Sequence, residues 1–167
     1  TDEAARYRDQ FRKLEALDRR ALSDRSALEE TRTGLPLVRK TVARTIFGAA
    51  QIHRAHQKPE LASELFYRAA SLDPDMPGYR AALESHYTQR KALSEGVRAF
   101  EKLAKEQPGN HLNYLFLGRL HGKMEQFDAA DQDFRKVQEL APSWPEGYRA
   151  LAELNLRAGR KLPEALT

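Results

Sequence analysis

The chain has 167 residues, with 28 Lys and Arg against 24 Asp and Glu, a formal net charge of +4 and 41% hydrophobic content. That is the composition of a helical domain long enough to bury a core, and no apolar stretch approaches the roughly eighteen residues that would span a bilayer, so membrane insertion is not expected. The absence of cysteine removes disulfides, thiolate metal sites and a cysteine nucleophile; it fits either redox environment and names no compartment.

From about Asp2 to Arg32, Ala4, Tyr7, Phe11, Leu14, Leu17, Ala21 and Leu28 follow helical spacing, and Asp9 can pair with Lys13 and Glu15 with Arg19 at i,i+4. The spacing predicts one long amphipathic helix that caps the rest of the chain. A dimerising coiled coil is the alternative, but a strict heptad through Tyr7, Phe11 and Leu14 lands next on Asp18, Ala21 and Arg25, which puts charge on the seam. Thr33, Gly34, Leu35 and Pro36 read as a break, with Gly34 available as a left-handed cap. Residues 1–36 therefore form one segment and 37–167 another. A second apolar pattern, from Leu37 and Val38 through Val42, Ile46 and Ala49 to Ile52, leads without interruption into a periodic region.

Within that region Pro74, Pro108 and Pro142 are 34 residues apart, each preceded by eight residues by Phe66, Phe100 or Phe134 and by twelve by Ala62, Gly96 or Ala130. A fixed period of this length signals stacked supersecondary units. Small residues let two antiparallel helices approach, and the phenylalanines, with Leu65, Leu72, Val97, Val137 and Leu140, form a seam shared between neighbours. Each closing proline biases its predecessor, Asp73, Gln107 or Ala141, away from helix, while Pro77 and Pro145 stand where new helices begin.

In this framework the chain resembles the tetratricopeptide repeat family, with units at 43–76, 77–110 and 111–144 and a partial fourth at 145–167. The large apolar place of the first helix holds Ile46, Tyr114 and Tyr148, with Tyr79 one residue early in the second unit. Ala49, Leu83, Leu117 and Leu151 come three residues later, and then, where Gly or Ala is usual, Ala50, Glu84, Gly118 and Ala152. Glu84 departs from the pattern. His53, Tyr87, His121 and Asn155 take the usual tyrosine place. In the fourth unit Gly159 marks the turn, and residues 160–167 resemble the start of a second helix. The chain starts without Met and stops inside this unit, which reads as a piece of a longer protein. The resemblance implies an all-α, right-handed α-solenoid of antiparallel helix pairs, here with an extra long N-terminal helix.

It also implies a protein-interaction scaffold whose first helices line a concave groove. The family's exposed groove places fall on Arg44, Phe47, Gln51 and Arg54 in the first unit, on Ser85 and Gln89 in the second, and on Leu112, Leu115, Phe116, Arg119 and Lys123 in the third. Arg149 continues them in the fourth. The expectation is an apolar groove with a basic flank that takes an apolar or acidic peptide or helix. The alternative for Phe47, Leu115 and Phe116 is contact with a neighbouring helix. Chaperone-binding members grip a C-terminal carboxylate with Lys, Asn and Arg; the matching places here are Phe47, Gln51, Ala82, Leu112 and Phe116, or one unit later Ala81, Ser85, Phe116, Glu146 and Ala150. Neither set keeps the required types.

Chemistry of other kinds finds no footing. There is no Gly-rich phosphate loop, no His-Glu-x-x-His and no Gly-x-Ser-x-Gly elbow, so no enzymatic role and no cofactor are expected. His53 and His56 are spaced i,i+3 but lack a gathered acidic or cysteine ligand. Residues 1–41 mix ten basic with eight acidic side chains, a solvated face rather than a phosphate-binding arm, so nucleic acid is not an expected partner. Self-association through the N-terminal helix or the incomplete fourth unit, giving a homodimer, is the second functional reading.

Overall fold

A computed structural model describes residues 34–159. The expected helix over 2–32, its capping or coiled-coil role, and the start of a second helix at 160–167 lie outside the described residues. The chain divides into two compact units, 1–41 and 42–167. Of the first, residues 34–41 are helical, with Leu35, Leu37 and Val38 exposed. Gly34 has helical, not left-handed, backbone, so the break expected at 33–36 does not fall on Gly34, Leu35 or Pro36.

Among the described residues there are seven helices and no strand: α1 (34–55), α2 (Pro59–Leu72), α3 (Pro77–Gln89), α4 (Leu93–Glu106), α5 (His111–Lys123), α6 (Phe127–Leu140) and α7 (Pro145–Arg157). The architecture is an all-α solenoid of helix hairpins. Helices α2, α4 and α6 are C-capped by Asp73, Gln107 and Ala141, each the residue before a proline, whose ring disfavours helical geometry there. Pro77 and Pro145 are the first residues of α3 and α7, where a missing N–H is no loss. The side chain of Asn110 caps α5 by accepting from the Leu112 N–H at 3.0 Å.

The turn inside each hairpin has a second periodic device. Gln57, Lys91, Glu125 and Gly159 all have positive φ, between 55° and 66°, and are again 34 residues apart. Behind them the chain closes in Schellman fashion: Ala92 N–H donates to Tyr87 O (3.0 Å) and Lys91 N–H to Thr88 O (3.1 Å), as Gln126 and Glu125 do to His121 and Gly122. Three of the four positions hold a residue with a Cβ, which costs about 1 kcal/mol or more in this conformation. The stacked hairpins over-determine it.

The seam expected from the sequence is the core. Ala62, Phe66, Phe100, Ala130 and Val137 are fully buried and Phe134 nearly so. A Cβ on Gly96 would meet Tyr87 Cβ and a Leu120 methyl at 3.1 Å, so helices α3, α4 and α5 approach as closely as a glycine permits. At the place filled by Ile46, Tyr114 and Tyr148 in other units, the second unit buries a cation: Arg80 is 0% exposed. Its guanidinium donates to Asn113 Oδ1 (2.6 Å), Gln107 Oε1 (2.7 Å) and Pro74 O (3.1 Å). Asn113, also fully buried, donates onward to Leu103 O and Gln107 O. This network joins the second and third units, and desolvation pushes the Arg80 guanidinium down to about 10.

Candidate functional site

First helices contact each other directly along the array, α3 with α5 and α5 with α7, whereas second helices do not meet to the same extent. The stack therefore curves toward the first helices, and their outward faces form the concave side. Of the expected groove residues, Arg44, Gln51, Arg54, Gln89, Lys123 and Arg149 are exposed, and Ser85 and Arg119 are half-buried.

Three expected groove residues are core instead. Leu112, Leu115 and Phe116 are 6%, 3% and 3% exposed, because α5 is packed between α3, α4, α6 and α7. The Phe116 ring stacks on Phe100 at 5.7 Å, and the Arg119 guanidinium covers it at 5.2 Å. Phe47 is half-buried with its ring 4.9 Å from Tyr79 and 5.6 Å from Phe66; it too is contact with neighbouring helices. The expected apolar groove is thus a polar, predominantly basic one.

Its charges are organised by two acids, Glu84 and Glu146. Glu84, the departure from a small residue, is 9% exposed and accepts from Lys123 Nζ at 2.7 Å, with Thr88 Oγ1 on the same ammonium at 3.1 Å. Glu146 accepts from Arg119 and Arg149, each at 2.7 Å, and its hydrogen bond holds Arg149 above the ordinary arginine value. Arg44, Arg54 and Arg157 have no carboxylate within ion-pair distance among the described residues; Arg157 donates to the Gly122 carbonyl at 3.1 Å. Between α5 and α7 the concave face opens into a pocket of about 120 Å³, floored by Gly118, Gly122, Phe134, Ala150 and Leu154 and rimmed by the bases Arg119, Lys123 and Arg157 together with the acids Glu84 and Glu153. A wider cleft of about 600 Å³ lies at the inter-unit turns, between Pro74, Asn110 and Trp144, where His111 meets the Trp144 ring edge-on at 4.6 Å.

No group of three or more His, Asp or Glu among the described residues could hold a metal ion, and none of the described helices is long and apolar enough to cross a membrane. His121, in the usual tyrosine place, faces Asp133 with Nδ1–Oδ2 at 2.7 Å inside the α5–α6 hairpin. Burial pushes the Asp133 carboxyl up to about 6.

The tetratricopeptide repeat model matches residues 113–143, the third hairpin of a stack whose other hairpins keep the same 34-residue register. Residues 113–143 are a tetratricopeptide repeat. Solved structures agree on the fold of this tetratricopeptide array. The first such domain of human RPAP3 superposes with a TM-score of 0.53 at 16% identity, covering 72% of this chain and 94% of that one. The first such domain of Spaghetti (RPAP3), bound to the HSP90 peptide SRMEEVD, gives 0.51 at 16% identity over 70% and 93%. The Sgt2 domain from Aspergillus fumigatus gives 0.52 at 16% identity over 70% and 79%. No curated protein matches the sequence significantly.

Proposed function

We propose that this tetratricopeptide array is a protein-interaction scaffold, without catalytic activity, that holds an acidic segment of a partner along its concave face. The observation that carries the reading is the open face of the first helices, on which Arg44, Arg54 and Arg157 project without carboxylate partners among the described residues. Gln51, Ser85, Gln89, Arg119, Lys123 and Arg149 supply the remaining polar contacts. Structures of the same fold with chaperone peptides bound support this mode of use. Burial of Leu112, Leu115 and Phe116 removes the apolar stripe that a purely hydrophobic helix would need, and favours an acidic partner through charge complementarity.

The test uses the partner recovered with the whole protein. Reversing Arg54 and Arg149 to Glu weakens association, more strongly at low salt, whereas Arg68→Glu on a second helix leaves it unchanged. Equal effects from both variants would place the partner elsewhere. Self-association is the second reading, supported by Tyr148 and Leu156 on α7, which are 37% and 66% exposed; a concentration-dependent mass in light scattering favours it, and a constant monomer mass opposes it.

A further inference from the structure

We infer that the pocket between α5 and α7 is an anchor site for one aliphatic side chain of an acidic, internal partner segment, and not a site for a chain terminus. The inference rests on the concave-face reading above and specifies what that face selects.

Two glycines separate packing from function here. Gly118 is required by packing, since a Cβ there would lie 2.6 Å from Phe134 Cε1 and 2.8 Å from Cδ1. Gly122 is not: a Cβ there would meet Leu154 Cδ1 at 3.5 Å and Arg157 at 3.8 Å, ordinary contact distances. The equivalent places in the neighbouring units hold Arg54, Thr88 and Leu156. A glycine inside a helix costs stability relative to alanine, and Gly122 lies in α5 with backbone that any residue adopts. What its missing side chain achieves is the open pocket over Leu154, Ala150 and Phe134.

The size of the pocket sets the ligand. At about 120 Å³ it approaches the roughly 150 Å³ apolar cavity that admits benzene, so it has room for Leu, Ile or Met. Charge sets the context. Lys123 and Arg119 at the rim are already engaged by Glu84 and Glu146 at 2.7 Å, which leaves them poorly placed to clamp a terminal carboxylate. Arg157, exposed at the mouth and held only by the Gly122 carbonyl, is free to pair with an Asp or Glu side chain flanking the anchor. An aliphatic residue within an acidic stretch meets both demands, and its C-terminus contributes nothing.

The probe is the blocked peptide acetyl-Asp-Glu-Leu-Asp-Glu-amide, titrated to millimolar concentration into the isotopically labelled protein. Resonances of the Gly118 and Gly122 amides and the Leu154 methyls shift on titration, and replacing the peptide's Leu by Ser weakens binding about tenfold or more. The free-acid peptide binds no more tightly than the amide. Gly122→Leu, which fills the pocket, abolishes the shifts at Leu154 while circular dichroism remains that of the wild type. Equal affinity for the Leu and Ser peptides, or no shift at Gly118, Gly122 and Leu154, overturns the anchor site. Shifts confined to Ser85 and Gln89 also overturn it, yet leave the concave-face reading standing. The Ser peptide is read on unaltered protein, so the test survives misfolding of the glycine variant.

Discussion

The Asn113–Arg80 contact is where a single substitution should do most damage. Replacing Asn113 by Ala removes the acceptor 2.6 Å from Arg80 Nε, and both residues are 0% exposed, so no solvent replaces it. The carbonyls that Asn113 serves keep backbone donors, since Leu103 O also accepts from Gln107 N–H and Gln107 O from Asn110 N–H. The loss is therefore concentrated on the cation. Removing the neutral acceptor of a buried cation costs about 1.5–3 kcal/mol, a substantial share of the roughly 5–15 kcal/mol that holds a domain together. Arg80→Met costs less, because it also deletes a cation that desolvation already disfavours. In the double variant no guanidinium is left without its acceptor, and the two changes are non-additive by about 2 kcal/mol. Urea unfolding of the four proteins measures the cycle, with an early transition in the second and third units expected for Asn113→Ala. A change below about 1 kcal/mol for Asn113→Ala, or strict additivity, would show that the network does not hold the unit junction.

Three further outcomes are expected from the same geometry. Gly118→Ala lowers stability by about 1 kcal/mol or more, because overpacking against Phe134 outweighs the helix propensity gained, whereas Gly122→Ala raises it by up to about 1 kcal/mol; thermal denaturation that ranks the two the other way round refutes the packing argument. Glu125→Gly relieves the left-handed strain at φ 60° and, after the added unfolded-state entropy, stabilises by up to about 1 kcal/mol; a loss would mean the Glu125 side chain contributes more than its backbone costs. His86 is 2% exposed, with Nε2 donating to Pro59 O at 3.0 Å, and burial first and foremost pushes its pKa down. The unfolded chain takes up the proton near its ordinary value of about 6.5 and the folded chain resists it, so stability is whole above that pH and declines as pH falls below it. Urea midpoints drop between about pH 7.5 and 5 in the wild type and less in His86→Gln; identical profiles would contradict a neutral buried imidazole.

The repeat was legible because close helix packing restricts residue types at fixed places. Ala62, Gly96, Ala130, the three phenylalanines and the closing prolines carry their roles in their sizes and backbones, and Pro77 and Pro145 start helices for the same reason. Arg80 was hidden because the place it fills is apolar in other units; its partners Asn113 and Gln107, 33 and 27 residues away, and the Pro74 carbonyl make a buried guanidinium tolerable. Lys91 and Glu125 gave no sign of positive φ, since neither is glycine, although their 34-residue spacing from Gly159 was available to find them. The groove was misjudged at Leu112, Leu115 and Phe116 because family places describe which side of a helix faces inward. They do not say how tightly the neighbouring helices lie over it, and in the third unit all three residues are buried.

The central claim is that a partner lies along the first helices. Photo-crosslinking from single sites in the whole protein tests it directly, with a photoreactive residue replacing Gln51 or Gln89 on the concave face, or Glu64 or Arg135 on the exposed faces of α2 and α6. Crosslinks to the co-purified partner are expected from Gln51 and Gln89 and not from Glu64 or Arg135. Crosslinks from Glu64 and Arg135, with none from the concave pair, would contradict the account.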